Sequence, residues 1–270
     1  AIRGSLENLK ALVDPGAGAH FGFVQGGTVP TEGREASELR SLGSLFYEPL
    51  WIFYRESSAR ERLGAAQVPL FTGFAGWRLA VGPPGSGGAE LLQRLTDLNQ
   101  MPAEAIVPRA MDPSEAVAKL LEGELDAVLL PQAPQSPLVR MLLQTPGMRF
   151  FEFSQAQAYA RRLAFLSPVV LPRGVVSPGQ DLPAADVALV ATTSTLVAAP
   201  DAHPALVRLM VQAAADIHGG SGWFRRAGEF PNAAGGEIAL ADEAMRHYRD
   251  GRPLLQRYLP FWLANLIERM

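Results

Sequence analysis

Between residues 78 and 130, short apolar runs alternate with amphipathic stretches, and this alternation constrains the fold more than any other feature of the sequence. Arg78-Leu79-Ala80-Val81 reads as a strand and Gly82-Pro83-Pro84-Gly85-Ser86-Gly87-Gly88 as a turn. The helix that follows carries Leu91, Leu92, Leu95 and Leu98 on one face. Ile106 to Arg109 reads as the next strand, Pro113 to Glu122 as the next helix, and Leu125 to Leu130 as the strand after it. Strands separated by helices need crossover connections, so this stretch predicts an α/β lobe built on parallel strands.

The flanks supply a second lobe. The spacing of Leu6, Leu9 and Val13 predicts a helix, with Ser5 as its N-cap and Asp14-Pro15-Gly16 as its stop. His20 to Gln25 reads as a strand closed by Gly26-Gly27. Leu42 to Tyr54 is an aromatic-rich strand segment in which Pro49 argues against a regular interior strand. Helix Ala156 to Leu163 precedes a long apolar strand, Val187 to Ala198, that reads as a return crossing. Helices are expected over His203 to His218, Ala239 to Arg249 and Pro253 to Met270. The expected organisation is a first lobe begun by residues 1–76, an inserted lobe over 77–190, and a return to the first lobe over 191–270. Two crossings make a hinge. In such a protein the cleft lies at the carboxyl ends of the strands, where glycine turns and helix N-termini point inward.

Composition removes several functions. Across 270 residues the net charge is −3, so there is no basic field for nucleic acid. No apolar stretch reaches the roughly 20 residues of a membrane span. With no cysteine, the chain has no disulfide, thiolate metal site or cysteine nucleophile. No metal-ligand motif stands out, and neither a metal nor a cofactor is expected. His203 and His218 fall at helix ends, where capping explains them. Gly85-Ser86-Gly87 is not a nucleophile elbow, and no histidine offers itself as a base for Ser86. The sequence therefore predicts binding without catalytic residues.

The candidate binding groups are small and polar. The Gly82 to Gly88 turn lacks the Lys-Ser or Lys-Thr of a nucleotide loop, but its N–H groups could cradle an anion, with Ser86 adding a hydroxyl. A plain tight turn explains Gly85, Ser86, Gly87 and Gly88 equally well. Ser5 stands at another helix start, while Gln25 and Gly26 end a strand. Tyr47 is the one residue of its aromatic run, otherwise core, that is assigned to the cleft. Thr192 and Thr193 place hydroxyls in the crossing strand, where either ligand contact or the β-propensity of threonine accounts for them. Arg161 is the candidate guanidinium partner of a carboxylate, with a solvated helix face as the alternative.

Taken in order, several blocks resemble the TAXI family of solute-binding subunits of tripartite ATP-independent periplasmic (TRAP) transporters. They are Gly4-Ser5-Leu6-Glu7-Asn8-Leu9, Phe23-Val24-Gln25-Gly26-Gly27, Leu45-Phe46-Tyr47-Glu48-Pro49-Leu50-Trp51, Gly82-Pro83-Pro84-Gly85-Ser86-Gly87, Gly123-Glu124-Leu125-Asp126-Ala127, Ala191-Thr192-Thr193-Ser194-Thr195-Leu196, Gly228-Glu229-Phe230-Pro231 and Pro260-Phe261-Trp262-Leu263-Ala264. The resemblance implies a type II periplasmic-binding-protein fold with two lobes, a hinge and an interlobe cleft. It further implies a monomeric, non-catalytic protein outside the cytoplasm that delivers an amino acid or dicarboxylate to the membrane subunits of a TRAP transporter. A ligand-sensing domain and an enzyme on the same fold are the alternatives. The family begins with a further strand, glycine turn and helix that this sequence does not carry, so weakened binding is expected. Gly87-Gly88 replaces the family's glycine-threonine pair, and relatives can continue beyond the Pro260 to Met270 region into a membrane anchor.

Overall fold

The computed structural model describes residues 4–29, 37–106, 108–234 and 237–251. In chain order the elements are α1 (Ser5–Val13), β1 (Phe21–Gln25), β2 (Arg40–Arg55), α2 (Glu56–Leu63), β3 (Leu79–Val81), α3 (Gly88–Leu98), β4 (Arg109–Ala110), α4 (Pro113–Glu122), β5 (Ala127–Pro131), α5 (Pro137–Gln144), β6 (Met148–Phe150), α6 (Ala156–Arg162), β7 (Ser167–Leu171), β8 (Val187–Ala198), α7 (Pro204–His218) and α8 (Asp242–Asp250). The α/β class expected from the alternation is observed. The chain divides into two compact units, one of Ala1–Glu7, Gln25–Thr28 and Tyr47–Thr193, the other of Asn8–Val24, Val29–Phe46 and Ser194–Met270. The strand tail expected at Ala1 to Arg3 and the helix expected over Pro253 to Met270 lie outside the described residues.

In the first unit, β3 pairs in parallel with β4 and β5, as the crossover pattern requires. β5 is also antiparallel to β2, from Leu50↔Pro131 to Tyr54↔Ala127, and β6 is antiparallel to β2 through Phe53↔Phe150. β7 pairs antiparallel with β8. Leu91, Leu92 and Leu95 of α3 are buried, so the leucine spacing sets the inward face of that helix. Trp51, Phe53 and Tyr54 of β2 are buried with Phe71, Phe74, Trp77, Phe151 and Phe153. Trp51 and Phe53 stack at 5.8 Å, while Phe151 meets Phe153 at 4.8 Å and Phe74 meets Trp77 at 5.1 Å edge to face, a geometry favoured by aromatic quadrupoles.

Three expectations about local structure need correction. β2 runs unbroken through Pro49. Its pairing with β5 begins at Leu50, so on that edge the missing proline N–H interrupts no ladder bond. The strand expected over Ile106 to Arg109 is reduced to Arg109–Ala110. Helix α5 and strand β7 fill stretches that the sequence pattern leaves without an element. The buried Val139, Leu142 and Leu143 give α5 a helical stripe, and Pro137 stands at its first turn.

The strongest polar feature of this unit is Asp126, 2% exposed. Its carboxylate accepts six hydrogen bonds, from the Arg78 backbone N–H, Arg78 Nε and Nη2, Arg62 Nη2, Arg55 Nη2 and Ser58 Oγ, at 2.8 to 3.2 Å. Burial alone would raise its pKa. The donors of Arg78, the Ser58 hydroxyl and the charge of Arg62 outweigh that penalty and hold the carboxyl far below its ordinary range. These bonds tie β2, α2 and the start of β3 to the turn before β5.

The second unit packs Leu42, Leu45, Leu196 and Ala198 against Val207, Val211 and Ala214 of α7 and Ala244 of α8. Gly43, at φ 113°, leaves room for the Tyr248 hydroxyl, which donates to the Leu42 carbonyl at 2.6 Å, and burial pushes the Tyr248 pKa up to about 12. His203 caps α7 as expected, its Nδ1 accepting from the Ala205 N–H at 3.1 Å. No helix among the described residues is long and apolar enough to cross a membrane.

Replacing Asp126 by Asn leaves Arg55, Arg62 and Arg78 without their counter-charge. Removing one partner of a buried ion pair costs about 3–5 kcal/mol, and because these guanidiniums are partly exposed we expect about 2–3 kcal/mol, read from urea unfolding. The folded pKa lies below the unfolded value of 3.8, so the contribution is complete above roughly pH 5. It is lost as the pH falls through the lower folded value, and the stability gap between wild type and Asp126→Asn should close over the same range.

Candidate functional site

Three glycine-marked segments meet in the first unit. α1 begins after Gly4, whose backbone lies so close to the Gly85 carbonyl that an added Cβ would overlap it. The Ser5 hydroxyl accepts a hydrogen bond from the Gln25 N–H at 3.0 Å. Ser5 is the first helical residue rather than the cap, and its hydroxyl joins α1 to the end of β1, which corrects the N-cap reading.

After Gln25 the chain turns. Thr28 Oγ1 donates to the Gln25 carbonyl at 2.6 Å, and the Gly26 N–H donates to the Thr193 carbonyl at 2.9 Å. Against this turn lies Gly87, at φ 84°, where a Cβ would stand 2.6 Å from Thr28 Cγ2 and 2.9 Å from Gln25 Oε1. Glycine is required here both for the left-handed backbone and for the close approach. Gly27 has the Phe165 ring where its own Cβ would be, and Arg94 stacks on that ring at 5.0 Å.

Gly87 is also the N-cap of α3 and offers no side chain to its first turn. The leading N–H groups of that helix therefore keep their donor capacity and the positive end of the dipole. Ser86 Oγ is buried over Gly82 without a hydrogen-bond partner among the described residues, and so is Glu90 Oε2 in the first turn. Buried polar atoms are nearly always paired, so two unspent oxygens at one helix start set this place apart.

Of the residues singled out in the sequence, Ser5, Gln25, Gly26, Gly85, Gly87, Thr192 and Thr193 are linked by these contacts, with Ser86 and Gly88 in the same loop. Tyr47 is partly buried next to them in sequence. Arg161 stands exposed on the last turn of α6 and makes no hydrogen bond or ion pair with a described residue. A cavity of about 430 Å³ elsewhere in this unit is lined by Tyr54, Val68, Leu142, Arg149 and Glu152, and by none of the expected site residues. Among the described residues no cluster of histidines and acids could hold a metal ion.

Sequence reasoning passed over Glu48. Its Oε2 accepts from Gln25 Nε2 at 2.8 Å, and its backbone carbonyl lies 3.5 Å from the Thr192 hydroxyl. Protein surrounds the carboxyl although part of the residue can be reached from outside. Burial pushes its pKa up to about 7, against the opposing effect of the Gln25 hydrogen bond. The available signal was a lone acid inside an apolar strand, a costly placement without a use for the charge.

No curated protein matches the chain. It is similar in structure to the alkanesulfonate-binding protein SsuA from Xanthomonas axonopodis pv. citri bound to MOPS, with 18% identity, 60% of this chain and 55% of that chain covered, and a TM-score of 0.40. The chain thus spans little more than half the length of that protein. The periplasmic aliphatic sulphonate binding protein SsuA from Escherichia coli gives 17% identity, 98% and 79% coverage and a TM-score of 0.43. The BenM effector binding domain with benzoate gives 9%, 83% and 82%, and 0.46. Likenesses this distant carry no argument about a ligand. Membership rests on sequence: the model of the NMT1-like family matches residues 1–217, most of the chain, and the protein belongs to that family.

Proposed function

We propose that this protein is the solute-binding subunit of a TAXI-type TRAP transporter, which captures a small carboxylate metabolite outside the cytoplasm and delivers it unchanged to the membrane subunits. The observation that carries the reading is the start of α3: a helix end without a side-chain cap, its Gly87 backbone packed against the Gln25 and Thr28 side chains, with the unspent Ser86 hydroxyl beside it. Unpaired N–H groups and the helix dipole favour a carboxylate without a lysine. The ordered TAXI-like sequence blocks support the transporter assignment. Thr192, Thr193, Tyr47 and Gln25 supply neutral polar contacts in this reading, and Arg161 a guanidinium partner for the carboxylate. Calorimetry against a panel of carboxylates tests it. One-to-one binding without consumption is expected, and failure of every carboxylate to bind would refute the reading.

Ser86→Ala separates binding from folding. The hydroxyl has no partner among the described residues, so the ligand-free variant should unfold at the wild-type urea concentration. Loss of one donor to the ligand should weaken binding by about 1–2 kcal/mol, or about five- to thirtyfold. Unchanged affinity would place the anion elsewhere. Gly87→Ala acts on the fold instead. A left-handed non-glycine residue crowding Thr28 should cost about 2 kcal/mol or more in the same unfolding measurement.

A further inference from the structure

Resting on the carboxylate reading above, we infer that Glu48 is a specificity-determining residue that receives the ammonium group of the ligand, so that the solute is an amino acid rather than a dicarboxylate or an oxo acid. One oxygen of its carboxyl, Oε2, is held by Gln25 Nε2 at 2.8 Å. The other, Oε1, has no hydrogen-bond partner among the described residues, and Glu48 as a residue is only partly buried. The same Gln25 places its Oε1 against Gly87, at the start of α3. One carboxamide therefore spans the distance between a donor-rich helix start and an acid with a free oxygen.

Those two poles, one offering N–H groups and one offering a carboxylate, match the carboxylate and ammonium of a zwitterion. A dicarboxylate would set its second negative charge near Glu48, where the low dielectric of the surroundings magnifies repulsion. Thr192 Oγ1, 3.5 Å from the Glu48 carbonyl, and the Gln25 side chain hold the residue in place on both main-chain and side-chain atoms. Burial and the Gln25 hydrogen bond are the two influences on its ionisation, which falls near neutrality. An arriving ammonium would stabilise the ionised form and release a proton.

The test is calorimetry on the wild-type protein with matched pairs: alanine and pyruvate, glutamate and 2-oxoglutarate, leucine and 4-methyl-2-oxopentanoate, with succinate alongside. The amino acid of a binding pair should bind at least tenfold tighter than its oxo acid. Its affinity should rise about tenfold from pH 6 to pH 8 as Glu48 ionises, with no such rise for the oxo acid. Glu48→Gln keeps an acceptor for Gln25 but removes the charge. It should lower amino-acid affinity about 10- to 100-fold and abolish the pH dependence. Equal affinity for both members of the pairs, or an amino-acid preference that survives in Glu48→Gln, would overturn the inference while leaving the carboxylate reading intact through Ser86→Ala. If no carboxylate binds at all, the carboxylate reading fails and this inference fails with it. Should Glu48→Gln not fold, the wild-type pairs and their pH dependence decide the matter alone.

Discussion

The candidate site depends on one close approach: Gly87 lies against Gln25 and Thr28 at a distance that no side chain would permit. Gly4 approaches the Gly85 carbonyl in the same way. Both approaches require glycine: at Gly4 backbone meets backbone, and at Gly87 backbone meets the side chains of Thr28 and Gln25. A helix start held in this way keeps its donors aligned before any ligand arrives. Such preorganisation reduces the ordering cost of binding, which is where affinity for a small solute is most easily lost.

How much of this was legible in the sequence varies with the physics involved. Regular periodicity transferred well: the leucines of α3 and the apolar run Val187 to Ala198 gave their elements directly. Local rules failed where a tertiary partner decided the outcome. By local rules Pro49 is a breaker, yet the β5 ladder starts one residue later and leaves its missing N–H without consequence on that edge. The sequence neighbours of Ser5 suggest a cap, whereas its partner is Gln25, twenty residues on. The glycine loop was legible as a turn, but its fit against the Gln25–Thr28 turn was not, since nothing in either segment names the other.

The two carboxyls of this unit show how far environment decides the meaning of a residue. Asp126 belongs to a block that the sequence offers as one motif among several, and Glu48 to another. Both are acids brought into protein interior, and burial works to raise the pKa of each. At Asp126, six hydrogen bonds reverse the effect. At Glu48 a single amide opposes it and loses. The same desolvation penalty thus ends in opposite shifts, and the number of donors decides which.

That difference in satisfaction separates a structural acid from a recognition acid. A carboxylate with every lone pair engaged has nothing left for a solute, and its three arginines hold neighbouring elements in register. A carboxyl with one oxygen anchored and the other open is positioned but unspent, at the cost of an ionisation poised near neutrality. The anchor matters as much as the opening. Without Gln25 the carboxyl would lose the one bond that orients it, and without the second oxygen it would have no valence to offer. Because Gln25 also contacts Gly87, the group that orients the acid is the group that abuts the helix start, so any substitution at Gln25 disturbs both poles of the site together.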